Sequence, residues 1–103
     1  MKLKKFDEYL EKRLDPKEIA EIEKQAAAEY ESLKALQEDV ANIVSAYMEE
    51  KHLGFNGLVR KLDASPAHVS KIQKGEANLT LASLAHLAAL MNKKPHITFK
   101  TID

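Results

Sequence analysis

The sequence predicts a mainly α-helical protein: a small bundle with an N-terminal helical arm and a short C-terminal β-strand. Three observations predict it. Apolar residues recur every three or four positions over most of the chain. Stop and start signals divide the second half into three short helical segments. Only the last residues alternate apolar with polar at a period of two. A chain of 103 residues buries roughly two-thirds of its unfolded surface, enough for one modest core.

The elements follow in order. Leu3, Phe6, Leu10 and Leu14 share helical spacing and predict a short amphipathic helix. Asp15-Pro16 then supplies a capping side chain followed by proline at the first helical position. From there Ile19, Ile22, Ala26, Tyr30, Leu33, Leu36, Val40, Ile43 and Tyr47 recur without an interrupting Gly or Pro. That pattern fits one long helix to about Lys51, or two helices with a break near residues 32–39. Its period is close to that of a coiled coil, so it suits a helical partner as well as its own domain. His52-Leu53-Gly54 reads as a stop. Helices are expected over about Asn56–Leu62, Pro66–Lys74 (ending at Gly75) and Leu81–Met91, the last capped by Thr80. In the tail, Ile97 and Phe99 alternate with polar residues and predict a strand of about six residues. The expected division is an arm over 1–36, a helical domain over 37–95 and the strand over 96–103.

Composition narrows the class of partner. The net charge is zero, but residues 1–51 hold 9 basic and 13 acidic side chains, and residues 52–103 hold 7 and 3. A basic half suits phosphates and an acidic half suits a basic protein. The absence of cysteine excludes disulfides and thiolate zinc sites. The N-terminus lacks the apolar core of a signal peptide, and no apolar run is long enough for a membrane span, so the expected location is cytoplasmic.

The segment 58–72 carries the function. A helix-turn-helix needs two short helices, a tight turn and apolar residues where the helices cross. Leu58, Val59 and Leu62 give the first helix a buried face, and Val69 and Ile72 do so for the second. Ala64 is a small plug for the turn, Ser65 can cap the second helix and Pro66 fits its first turn. Ala67, His68, Ser70, Lys71 and Lys74 are left for solvent.

This pattern resembles the Cro/C1-type repressors, often called the XRE family. Their second and third helices usually read Leu-Ala, two variable residues, an apolar residue and a turn, then Ser/Thr, three variable residues, Val/Ile-Ser, one variable residue, Ile-Glu and a closing Gly. The matching residues are Leu58-Val59, Leu62, Ser65, Val69-Ser70, Ile72-Gln73 and Gly75, continued by Asn78 and the Leu81/Leu84/Leu87/Leu90 helix. The match spans about 50 residues in register. Gln73 stands where the family has Glu, and Gly54-Phe55 stands where it has a capping, phosphate-touching Thr-Gln pair; Asn56 is the substitute cap. The flanks resemble HigA-like antitoxins, on the opening Lys5-Phe6-Asp7-Glu8-Tyr9-Leu10, the Leu14-Asp15-Pro16 turn and the Tyr30-Glu31-Ser32-Leu33 patch. That resemblance implies an antitoxin that neutralises a RelE/HigB-like mRNA-cleaving toxin and represses its own operon as a homodimer. A stand-alone regulator of the same family is the alternative.

Each expected role follows from side-chain chemistry. In the resembled fold the second helix enters the major groove by its N-terminal turn. Ala67 suits a thymine methyl and Lys71 suits guanine O6 or N7. His68 and Ser70 suit bases or phosphates. Lys74, Asn78 and the helix start at Ser65 and Pro66 suit phosphates, with Asn56, Arg60 and Lys61 as further phosphate contacts. For a small basic toxin, Phe6, Tyr9, Leu10 and Tyr30 are the expected apolar anchors, with Glu8, Glu11, Glu21, Glu29 and Glu31 around them. A place in the protein's own core is the competing reading for the aromatics. The tail strand is expected to pair with its symmetry mate or to extend a toxin's sheet.

No enzyme, cofactor or metal site is expected. His52, His68, His86 and His96 are 16, 18 and 10 residues apart, which is not ligand spacing. Ser65 and His68 read better as a cap and an exposed residue than as catalytic partners, because no acidic third member lies at a matching offset. Three glycines cannot form a phosphate loop.

Overall fold

A computed structural model describes residues 15–102. Among them are four helices and no strand: α1 (Pro16–Lys51), α2 (Phe55–Leu62), α3 (Pro66–Gln73) and α4 (Leu81–Leu90). The protein is therefore mainly α. The chain divides into two units, Met1–Ala35 and Leu36–Asp103. The short helix expected over Leu3–Leu14 lies outside the described residues.

Helix α1 is continuous for 36 residues, so the pattern that allowed a break near 32–39 has none. The amide of Glu18 donates to Asp15 Oδ1 at 2.8 Å, and Pro16 opens the first turn, which confirms that start signal. Within the first unit, Ile22, Tyr30 and Leu33 are exposed, and Lys34 Nζ lies 5.9 Å from the centre of the Tyr30 ring.

The second unit is held by a cluster of Val44, Tyr47, Leu58, Leu62, Val69, Ile72, Leu87 and Met91, drawn from all four helices. Helix α2 packs on both α3 and α4. Each fully buried aliphatic side chain contributes about 1.5–3 kcal/mol of transfer free energy. One register detail departs from the expected stripe. Val44 is 0% exposed and Ile43 is 47% exposed; likewise Gln37 is buried and Leu36 is not. Every turn of this segment offers two adjacent candidates about 100° apart, and contact with α2–α4 selects one of them.

The four described helices end the same way. His52, Asp63, Gly75 and Asn92 have φ of 55°, 49°, 70° and 56°, in the left-handed region. At each end two amides return to carbonyls of the last turn: His52 to Glu49 and Leu53 to Met48, Asp63 to Arg60 and Ala64 to Val59, Gly75 to Ile72 and Glu76 to Lys71, Asn92 to Ala89 and Lys93 to Ala88. These are Schellman closures, which satisfy carbonyls that a helix end leaves free. Only one of the four positions is glycine. The stop expected over His52-Leu53-Gly54 is made at its first residue, His52. Gly54 is extended, at φ −86° and ψ −175°, and precedes α2.

The tail departs from expectation. Residues 96–102 form no strand, because no described segment offers an edge to pair with. Ile97 and Phe99 are exposed.

The helix ends make a stability prediction. Left-handed backbone costs an L-residue roughly 1–2 kcal/mol, less for Asn and Asp. Gly75→Ala should therefore lower stability by about 1–2 kcal/mol. His52→Gly should raise it by roughly 0.5–1 kcal/mol, less the chain entropy that glycine adds to the unfolded state. Urea denaturation with an unchanged slope would measure both.

Candidate nucleic-acid interface

The candidate surface is built on α2, the three-residue connection Asp63-Ala64-Ser65 and α3. Two features of the sequence make the connection short. Asp63 takes the left-handed conformation that ends α2, and Ser65 caps α3 by accepting the His68 amide at 3.1 Å. Ala64 is half-buried against the core. Ser65 thus caps and Pro66 opens the helix, in the roles expected of them.

Helix geometry then sorts the side chains of α3. Val69 and Ile72 are buried against the core, and Gln73 is half-buried with its Nε2 3.1 Å from Met48 Sδ. Ala67, Lys71 and Lys74 are exposed on the opposite face, three and four residues apart, with half-buried Ser70 at its edge. His68 lies on the α4 side of that face. It lines a cavity of about 350 Å³ whose apolar floor includes Leu62 and Leu79 and whose far wall includes Ser83 and His86.

The remaining expected contacts fall elsewhere. Arg60 and Lys61 are exposed in the last turn of α2, where positive charge also favours the helix end. Asn56 is exposed but makes no cap. The capping position is Gly54, which has no side chain to offer, and Asn56 already lies inside the helix. Leu53 and Leu58 hold the entry in place of a cap, at the two positions of a hydrophobic staple, both packed in the core cluster. Asn78 has an internal partner: its Oδ1 accepts from Gln37 Nε2 at 3.1 Å. Tyr30 is exposed on α1; Phe6, Tyr9 and Leu10 lie outside the described residues.

Gln37 is the residue that sequence reasoning passed over. It is buried, and its amide also donates to the Ala77 carbonyl at 3.1 Å. One side chain of α1 therefore fixes the loop between α3 and α4. Its signal was a polar residue beside Leu36 on an apolar stripe, which reads equally well as solvent-facing.

Between residues 55 and 80 the charged side chains are Arg60, Lys61, Lys71 and Lys74 against Asp63 and Glu76. The surface is thus mildly basic, with small residues at the start of α3 that leave the approach open. Among the described residues no cluster of His, Asp and Glu could hold a metal ion, and no helix is long and apolar enough to cross a membrane. Comparison with protein-family models, with curated proteins and with solved structures found no match to this chain.

Removing the Gln37 amide should leave the Ala77 carbonyl and Asn78 without their partner. Gln37→Leu is expected to cost about 1–3 kcal/mol. In hydrogen exchange, the Glu76 amide, which donates to the Lys71 carbonyl, should lose protection more than those of α2.

Proposed function

We propose that this protein is an antitoxin and autorepressor: α2 and α3 form a helix-turn-helix that reads operator DNA, and the acidic arm binds a small basic toxin that cleaves mRNA. The DNA-binding reading is carried by one observation. A three-residue connection joins two eight-residue helices, and the second presents Ala67, Lys71 and Lys74 together on its free face. Major-groove entry needs such a helix, capped, short and unobstructed at its N-terminal turn.

The residues take distinct roles. Lys71 donates to a guanine edge, and Ala67 meets a thymine methyl. Lys74, Arg60 and Lys61 hold phosphates, as does the start of α3, where the Ser65 cap and Pro66 leave the Ala67 amide available. Ser70 touches base or backbone from the edge of the face. His68 serves the flank toward α4. Asn78 acts by shaping the loop, because its side-chain oxygen is already engaged by Gln37. A homodimer presents two such helices about 34 Å apart, one turn of DNA.

The toxin reading rests on the arm. Ile22, Tyr30 and Leu33 are exposed on α1 among Glu21, Glu23, Glu29 and Glu31. An apolar anchor ringed by carboxylates suits a basic partner, and proteins that bind RNA are commonly basic.

Two experiments test these claims. The full chain is titrated against a duplex from upstream of its own reading frame and against a scrambled duplex of equal length, over a range of salt. Binding should fall steeply with salt. Lys71→Ala should lose about 1–3 kcal/mol of discrimination between the duplexes, and Lys74→Ala should weaken both equally. Equal affinity of wild type for both duplexes would refute sequence-specific repression. Separately, a basic protein of small size should co-purify from the native host and be released by Tyr30→Asp, with DNA binding unchanged. DNA binding without such a partner would leave a stand-alone regulator.

A further inference from the structure

The tail leaves the bundle at an apolar groove. Val40 and Ile43 of α1 form one wall, and Leu84, Ala88 and Met91 form the other, enclosing about 200 Å³. Pro95 and His96 make its lip. Small-molecule sites usually measure about 300–1,000 Å³, so this space suits one or two inserted side chains better than a ligand. Just past the lip the chain carries Ile97, Phe99 and Ile102, which are 50%, 94% and 81% exposed. A period of two puts Ile97 and Phe99 on one edge of an extended segment, about 6–7 Å apart.

The tail is badly placed to fill its own groove. Pro95 and His96 already occupy the lip, so Phe99 would have to double back within three residues. Ile97, Thr98 and Phe99 are β-formers without the Gly or Asn that a tight reversal needs. A second chain meets no such obstacle.

We propose that the groove receives the tail of a second copy of this chain, with Phe99 inserted between Ile43 and Ala88, and that the exchange is reciprocal. Such an interface is isologous and closes on a pair. A buried aromatic side chain removes about 150–250 Å² from water. Two tails and two grooves together reach on the order of 1,000 Å², the size at which a specific interface becomes stable. This dimer would supply the two-fold symmetry an autorepressor uses. It stands without that role, because the test reads association and involves no DNA or toxin.

Sedimentation of the full chain tests it. Wild type should be dimeric at micromolar concentration. Phe99→Ser and Ile43→Glu should each raise the dissociation constant at least tenfold, with unchanged helical circular dichroism; both positions are exposed, and Ile43→Ala serves if the charged variant misfolds. A mixture of the two variants should associate more tightly than either alone, because an intact tail then meets an intact groove and both changes lesion one contact. A monomeric wild type would overturn the proposal. So would a dimer weakened by Phe99→Ser but indifferent to both Ile43 variants, which would mean that the tails pair with each other.

Discussion

The contact among Val44 of α1, Leu58 of α2 and Val69 of α3 is what the second unit depends on. All three are completely buried and belong to one cluster. Helices α2, α3 and α4 have only 8, 8 and 10 residues. Isolated helices shorter than about 12–15 residues are marginal in water even with favourable sequences. These three therefore exist as helices because they bury side chains against each other and against the last turns of α1. The long helix is the support, and the short ones carry the exposed surface.

Short helices also make their ends matter more. In eight residues a large share of the backbone groups lies in the first or last turn, where the helix itself provides no partner. Ser65 and Thr80 answer this at the start of α3 and α4, each accepting a backbone amide three residues on. At the far ends the left-handed residues turn the chain back so that two amides reach the free carbonyls. Between α2 and α3 this closure is followed at once by the Ser65 cap, which keeps that turn to three residues. Gln37 extends the principle to the longest internal loop, fixing it from outside with two hydrogen bonds.

The proposed functions divide among surfaces that the core does not use. The free face of α3 is small and mildly basic, the arm mixes exposed apolar residues with carboxylates, and the tail is apolar and uncovered. Each lies on a different part of the chain. A change on one is therefore expected to leave the others intact, since sites without shared partners behave additively.

By itself the sequence determined the three short helices and the start of α1. Local signals were sufficient where the physics is local: Asp15, Ser65 and Thr80 cap as their chemistry requires, and Gly75 takes the positive φ it alone adopts without penalty. The apolar pairs Leu58/Leu62 and Val69/Ile72 were legible as the buried faces of two crossing helices. Tertiary structure decided the rest. Whether Val44 or Ile43 is buried, and Gln37 or Leu36, depends on which flank of α1 the other helices cover, and a periodic stripe with two candidates per turn cannot say. His52 turns left-handed, against its intrinsic preference, because the chain must reverse there to bring Leu58 back to the core, whereas Asn92 tolerates that conformation and closes α4 ahead of an exposed tail. Asn78, though exposed, is engaged by a partner 41 residues away. The tail has the composition of a strand but none of its structure, because a strand is defined by a neighbour and no described segment provides one.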